Sequence, residues 1–569
     1  MAKNFKYWPD GWPQSLNYPN VPVFKLLDQT AERSPNRLAM IFGGMELTFS
    51  ELKNLTERFA NALKSLGVGK GDKVAIHLPN CPQFAIAYYG ALRTGAAFTP
   101  VSPLLSPKEI EHQLNDSQSK ALVSLDLLYP GAAEAVARTT VSKVITTSIA
   151  DCFSAVIQPL KPLGKFPVEG TLDMAQLLAE HQPDPLDVEI DVEKDLAHLA
   201  YTGGTTGVSK GVMLTHKNVI CNVLQYSCWF AGAQLELRED GTFGPDYPPD
   251  VDPHVDRMAV TDEETALVVV PWFHAMGTIA YLNNPVYAGS TMVVFPRFDP
   301  VEYITAIGKY GATTLGGAPQ LFVPLVNLPN FKDYDLSSIK MAGSGAAPLP
   351  VSVLKQLEES FTGIVLEAYG LTEVSMGATC NPPIKGQTRA GSVGLPIFDT
   401  EIIITDPASG DELPIGEEGE ICIKGPQVMQ GYWGRPEATA EVLKDGWLRT
   451  GDIGRMDDDG FLFITDRIKD LILYKGYNVY PRQLEEVLYD HPAVENAAVV
   501  GKKDPDAGEK PIAFVQLRSG MDATEEDVME FVNSRVAAYK KIRGVIFVSE
   551  IPVSGAGKIL KRELRKQLE

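Results

Sequence analysis

No apolar run in this 569-residue chain is long enough to span a bilayer, and residues 1–13 carry Lys, Asp, Trp and Pro in place of an apolar leader. These absences predict a cytoplasmic protein without a transmembrane segment; peripheral membrane contact stays compatible with them. Cysteine is scarce. The six (Cys81, Cys152, Cys221, Cys228, Cys380 and Cys422) are scattered without a CxxC pair, which points away from a disulfide framework and toward reduced core thiols. Positive charge is short as well: 51 Lys and Arg stand against 72 Asp and Glu, a formal net charge of -21. That balance argues against a nucleic-acid partner and gives no long-range pull on any polyanion, so a polyanionic ligand would need local lysines and a metal ion.

What is present fits a globular enzyme. Hydrophobic residues make up 44% and charged residues 22%, and the length exceeds what a single core supports, so at least two domains are expected. Strand and helix patterns alternate. Leu52, Leu55, Phe59, Leu63 and Leu66 recur at helical spacing, residues 74–78 read as a buried strand, 81–94 as a helix and 97–101 as the next strand. A second such unit centres on strands at 267–271 and 291–295. After residue 470 a short unit follows, with helices at 483–489 and 525–536 around a strand at 512–517. The pattern is α/β, ending in a small cap of about a hundred residues.

The run Tyr201-Thr202-Gly203-Gly204-Thr205-Thr206-Gly207-Val208-Ser209-Lys210-Gly211 has the make-up of a polyphosphate loop. Glycines let backbone N–H groups face an anion, hydroxyls add neutral donors and Lys210 adds a point charge. A plain linker would need neither hydroxyls nor lysine. It is not a Walker A loop, because the lysine lacks the preceding glycine and the following Ser or Thr. A strand over 195–201 is expected to enter the loop, and a helix can start over 217–224.

Four more segments follow in order: Tyr369-Gly370-Leu371-Thr372-Glu373, Thr450-Gly451-Asp452, Asp466-Arg467-Ile468-Lys469-Asp470 with Lys475-Gly476, and Gly555-Ala556-Gly557-Lys558-Ile559. With the phosphate loop they resemble the acyl-adenylate-forming enzymes, a superfamily of acyl-CoA synthetases, luciferases and peptide-synthetase adenylation domains. The resemblance runs from about residue 24 to the C-terminus. It implies a large layered N-terminal body of three subdomains (1–466) and a small mobile α/β cap (467–569), hinged near 467–469. It also implies ATP, CoA and a carboxylic acid as substrates, Mg²⁺ as the metal and no tightly bound organic cofactor; a homodimer is compatible with it.

Site roles follow from the same resemblance. Thr202, Gly203, Gly204, Thr205, Thr206, Gly207 and Lys210 would hold phosphates, and Thr372 the α-phosphate. Glu367 and Ala368 would line adenine and Tyr369 would stack on it. Asp452 would accept from the ribose hydroxyls, with Arg467 nearby. Glu373 is a hard-oxygen ligand suited to Mg²⁺. Lys558 would neutralise the reacting carboxylate and α-phosphate, with Thr206, Glu373 and His274 completing the catalytic set. After cap rotation, Lys475 and Gly476 would line the pantetheine passage. Three departures stand out: Leu473 and Asn478 occupy positions where coumarate ligases and luciferases carry lysine and glutamine, and Gly203 replaces the usual serine.

The acid is expected beside His274, Met276, Gly316 and Gly317. Met276 replaces the tyrosine of coumarate ligases, so a longer apolar slot for a medium- or long-chain fatty acid is favoured over an aryl acid. Carrier-protein acylation and a silent binding homologue are the weaker readings. Residues 231–264, rich in Asp and Pro, read as a solvated surface loop without a function.

Overall fold

The computed structural model describes residues 5–9, 11–149, 151, 165–202, 209–247, 259–347, 349–475, 477–553 and 559–568. Two large sheets dominate the N-terminal body. In the eight-stranded sheet, Lys73–His77 lies between Ala97–Pro100 and Ala121–Leu125, all parallel. Every residue of Lys73–His77 is buried, as a strand covered on both faces should be. The helix Pro82–Arg93 that follows is buried along its length and carries proline at its first turn, where the missing N–H costs nothing.

The nine-stranded sheet runs Thr291–Val294, Thr265–Val268, Thr314–Gly317, Met341–Ser344 and Ile364–Tyr369 side by side in parallel. The expected strands at 267–271 and 291–295 thus sit in it, with ends that differ by up to three residues. A third, antiparallel sheet of five strands includes Glu401–Thr405, Gly419–Lys424, Trp447–Met456 and Leu462–Arg467; no periodic signal singled it out. The body's last strand ends at Arg467, and the next sheet begins at Ile472–Tyr474. That small sheet centres on Val494–Asp504 paired with Gly508–Leu517, flanked by helices Pro481–Tyr489 and Glu525–Asn533. A large α/β body and a small C-terminal α/β domain are therefore present.

The strand expected before the phosphate loop and the helix expected after it are both present, as Leu196–Tyr201 and a helix from His216, but a strand that was not expected, Gly211–Thr215, antiparallel to Leu196–Tyr201, comes between loop and helix. Thr215 sets that start: its side chain accepts from Asn218 N while Asn218 caps in return. Residues 231–264 are also not a simple solvated loop. Gln234–Leu237 and Phe243–Asp246 form an antiparallel hairpin whose buried Phe243 stacks on Tyr287 at 5.9 Å, and Glu264 is buried. The Asp- and Pro-rich stretch 248–258 lies outside the described residues. Cys81, Cys221, Cys228, Cys380 and Cys422 are buried; Cys152 lies outside the described residues. Among the described residues no helix is long and apolar enough to cross a membrane.

Buried titratable groups set an acid-side stability slope. Burial pushes His77, His198 and His216 down to about 4, about 3 and about 4, from 6.5. As pH falls below 6.5 the unfolded chain takes up protons that these histidines refuse, so their contribution is lost between 6.5 and about 4. Glu367 and Asp466, pushed up by burial to about 7 and about 6, act in the opposite direction. Three groups outweigh two, and stability should fall from pH 6 to 4.5. His198→Gln should flatten that slope by up to about 1.4 kcal/mol per pH unit; denaturant midpoints across the range check this, and an unchanged slope contradicts it.

Candidate active site

A cleft of about 1980 Å³ opens where both large sheets, the third sheet and the small domain meet. Ordinary ligand sites occupy about 300–1,000 Å³, so this one has room for more than one ligand. Thr202, Lys210, His274, Met276, Ala368, Tyr369, Thr372, Glu373 and Arg467 all line it. The sequence scatters these residues over more than 250 positions.

The phosphate loop closes on itself at its base. Thr202 N donates to Lys210 O at 3.1 Å, and Ser209 Oγ donates to Thr202 O at 2.5 Å. Gly203, Gly204, Thr205, Thr206 and Gly207 lie outside the described residues. Opposite the base stands Tyr432, which the motifs did not single out. Its short strand pairs with Gly211–Thr215, its ring lies 4.7 Å from Lys210 Nζ, and its hydroxyl donates to Glu373 Oε1 at 2.9 Å. Tyr432 thereby couples the loop lysine to the carboxylate. Tyr432→Phe should lower kcat/KM for adenylation about tenfold, the cost of a hydrogen bond to a charged group; a rate equal to wild type would contradict the coupling.

Glu373 is held by backbone geometry. Thr372–Val374 form a single 3₁₀ turn, and buried Ser375 follows at φ +65°, fixed by its Oγ donating to Gln427 O at 2.9 Å. A non-glycine residue in this region is strained, which is common beside functional groups. Gly370 is required just before the turn: a Cβ there would stand 1.8 Å from Met376 O. Among the described residues no group of three or more His, Cys, Asp or Glu side chains gathers into a metal cage. One carboxylate lining the cleft still fits Mg²⁺, which takes its remaining oxygens from substrate phosphates and water.

Asp452 is buried, and both its oxygens are engaged. Tyr369 Oη donates to Oδ2 at 2.6 Å and Arg467 Nε to Oδ1 at 2.6 Å. The Asp452 charge, acting against burial, holds Arg467 well above its ordinary pKa. Gly451, at φ +73°, donates its N–H to Glu420 Oε1 at 3.1 Å. Glu420, another residue the motifs missed, also pairs with Arg449. Glu367 does not line the cleft. In the strand Ile364–Tyr369, Leu366 and Ala368 do, and Glu367 points to the other face, where backbone groups of Leu349 and Gly391 hydrogen-bond its carboxyl.

Away from the phosphate region the cleft narrows into a slot along one face of the nine-stranded sheet. Its floor includes Met341 and Gly343 of one strand with Gly345 just past its end, Leu366 and Ala368 on the next, and Thr314 and Ala266 on the other side. Tyr226 and Phe230 of one helix and Ala280, Tyr281 and Tyr287 of the 275–288 helical segment form the roof. The roof contains a π-turn at Ile279–Asn283, a feature frequent at functional sites. Met276 Sδ and Cε come within 3.7 Å of a Cβ built on Gly345. His274 sits at the start of the roof, and its carbonyl accepts from Thr278 N at 2.9 Å.

The two glycines expected in the wall fare differently from Gly343. A Cβ on Gly316 would lie 1.5 Å from Tyr281 Oη, so Tyr281 already fills that space. A Cβ on Gly317 would meet Leu321, in the core on the opposite face. Gly343 lines the slot, its nearest neighbour to a built Cβ being Tyr281 Oη at 3.4 Å.

The small domain reaches the cleft through Val553, Leu560 and Arg562. Val553 and Ile559 bridge across the segment that carries Lys558; Lys558 itself, like Gly476, lies outside the described residues. Lys475, at φ +51° in the turn between Ile472–Tyr474 and Tyr477–Val479, does not line the cleft. Arg565 pairs with Asp470 at 2.7 Å, which ties the segment after Lys558 to the link between the domains, and Lys561 pairs with Glu485 of the helix Pro481–Tyr489 at 2.8 Å.

The fold and cleft define a nucleotide-using enzyme in two parts, and comparison with known proteins gives the family: the chain belongs to the AMP-binding enzymes. The pattern described as AMP-binding enzyme matches residues 27–433, and that of the AMP-binding enzyme C-terminal domain matches 483–558. The chain is 38% identical to a long-chain-fatty-acid–CoA ligase of Bacillus subtilis over 569 residues, covering 98% of this chain and 97% of that protein. It is 34% identical to 4-coumarate–CoA ligase 3 of Oryza sativa over 537 residues, covering 92% and 88%. Among solved structures, ATP-bound MatB from Rhodopseudomonas palustris superposes with a TM-score of 0.83 at 28% identity, covering 96% of this chain and 99% of that one.

Proposed function

We propose that this enzyme is an ATP- and Mg²⁺-dependent acid:CoA ligase that forms acyl-AMP and then acyl-CoA from a medium- or long-chain fatty acid. The observation that carries the acid assignment is the slot floored by Gly343, Gly345, Ala368 and Ala266, leading away from the phosphate region. The names of the relatives leave the choice open, since fatty-acid and coumarate ligases are similar to this chain at nearly the same identity. Four strand residues span about 13 Å. An extended chain advances roughly 1.2 Å per bond, so about ten methylenes fit alongside them.

In this reading a carboxylate oxygen attacks the α-phosphorus of ATP, pyrophosphate leaves, and the mixed anhydride acyl-AMP remains bound. Two anions must meet, so the site has to supply positive charge and donors in a fixed array. Lys210 and the loop hydroxyls hold phosphates, Thr372 donates to the α-phosphate, and Lys558 bridges carboxylate and phosphorus. Asp452 accepts from the ribose hydroxyls, exchanging its bond with Tyr369 for them. Mg²⁺, held by Glu373 and the phosphates, would neutralise the departing charge. The small domain then turns about residues 467–469, withdrawing Lys558 and bringing Lys475 and Gly476 to the pantetheine passage. The CoA sulfur attacks the acyl carbon, its proton is lost to solvent, and AMP leaves.

A chain-length series tests the acid assignment. Each methylene buried in the slot adds up to about 0.8 kcal/mol, so kcat/KM should climb with length and then level off, while benzoate and coumarate remain poor. Gly343→Leu should move the plateau to shorter chains. A flat response, or an aryl acid preferred, would transfer the assignment to an aryl acid:CoA ligase.

A further inference from the structure

The far end of the slot is polar. Glu264 stands one residue before the strand Thr265–Val268, at the end of the slot opposite His274, and its side chain is only 4% exposed. Its Oε1 accepts from Lys340 Nζ at 2.8 Å and from Val260 N at 2.9 Å. Its Oε2, on a residue that lines the cleft, finds no hydrogen-bond partner among the described residues. Tyr287, another residue that lines the cleft, has a buried hydroxyl that likewise finds none among them. A slot meant only for a methyl end would leave both groups desolvated without return, and a buried acceptor without a donor is costly.

We propose that this end of the slot is a second recognition site, which takes a hydrogen-bond donor at the far end of the acyl chain: the terminal hydroxyl of an ω-hydroxy fatty acid, donating to Glu264 Oε2. The proposal rests on the fatty-acid reading of the slot. Lys340 neutralises the carboxylate from the side away from the ligand, so an uncharged hydroxyl is the matching partner.

The test compares three acids at each chain length, ending in methyl, hydroxyl or methoxy, by kcat/KM for acyl-CoA formation. In the wild type, at the length where the plain series levels off, the hydroxy acid should exceed the methyl acid about tenfold, as expected for a hydrogen bond to a charged group. At shorter lengths it should fall below, because its hydroxyl then lies against apolar wall. The methoxy acid, an acceptor only, should be poor throughout. In Glu264→Gln, whose amide offers a donor where Oε2 stood, the ratio of hydroxy to methoxy acid should collapse toward one. A hydroxyl penalised at every length in the wild type would overturn the proposal while leaving the fatty-acid reading intact. An unchanged ratio in the folded variant, checked by thermal melting, would also overturn it. Failure of every straight-chain acid would overturn the fatty-acid reading, and this proposal with it.

Discussion

Lys558→Ala should slow acyl-adenylate formation about a thousandfold, the scale of losing one preorganised charge used mainly in the transition state. Thioester formation from preformed acyl-AMP should survive, because by then the reading has the lysine withdrawn. The motivation is positional. Val553 and Leu560, on either side of the lysine's segment, line the cleft. The helix after it is tied through Arg565 to Asp470 beside the hinge. Pyrophosphate exchange and single-turnover thioester formation, measured separately, check the split; equal loss in both would contradict a domain that works in two orientations.

Glu373→Gln should reduce adenylation at least about a hundredfold and raise the Mg²⁺ concentration needed for half-maximal rate, since an amide binds a hard cation far more weakly than a carboxylate. Its shape is preserved, and the bond from Tyr432 Oη can still be accepted by the amide oxygen. The loss would therefore report charge and metal binding, not collapse of the 3₁₀ turn. A Mg²⁺ requirement identical to wild type would exclude Glu373 as the ligand.

How legible was this in the sequence? Strand and helix positions in the body were readable because buried parallel strands such as Lys73–His77 are continuous apolar runs bounded by helices with clear spacing. The third sheet escaped because its strands mix buried and half-buried positions irregularly, as in Trp447–Met456. The motifs brought Thr202, Lys210, Tyr369, Thr372, Glu373 and Arg467 to one cleft as expected. They could not tell which face a residue takes within a buried strand. Glu367 and Ala368 are adjacent in sequence yet face opposite ways, and Gly317 and Gly343 could be sorted only once the sheet register was known. Tyr432 and Glu420 carry no local signal. Each acts through a partner far along the chain, Glu373 in one case and the Gly451 amide in the other, so only folding reveals them.

The most direct test of the central claim follows oxygen. A straight-chain fatty acid with both carboxylate oxygens replaced by the heavy isotope is turned over with ATP, Mg²⁺ and CoA, and the mass of the nucleotide product is read. Attack by the carboxylate on the α-phosphorus predicts AMP carrying one heavy oxygen and acyl-CoA carrying the other. Unlabelled AMP, or ADP as the product, would contradict the account.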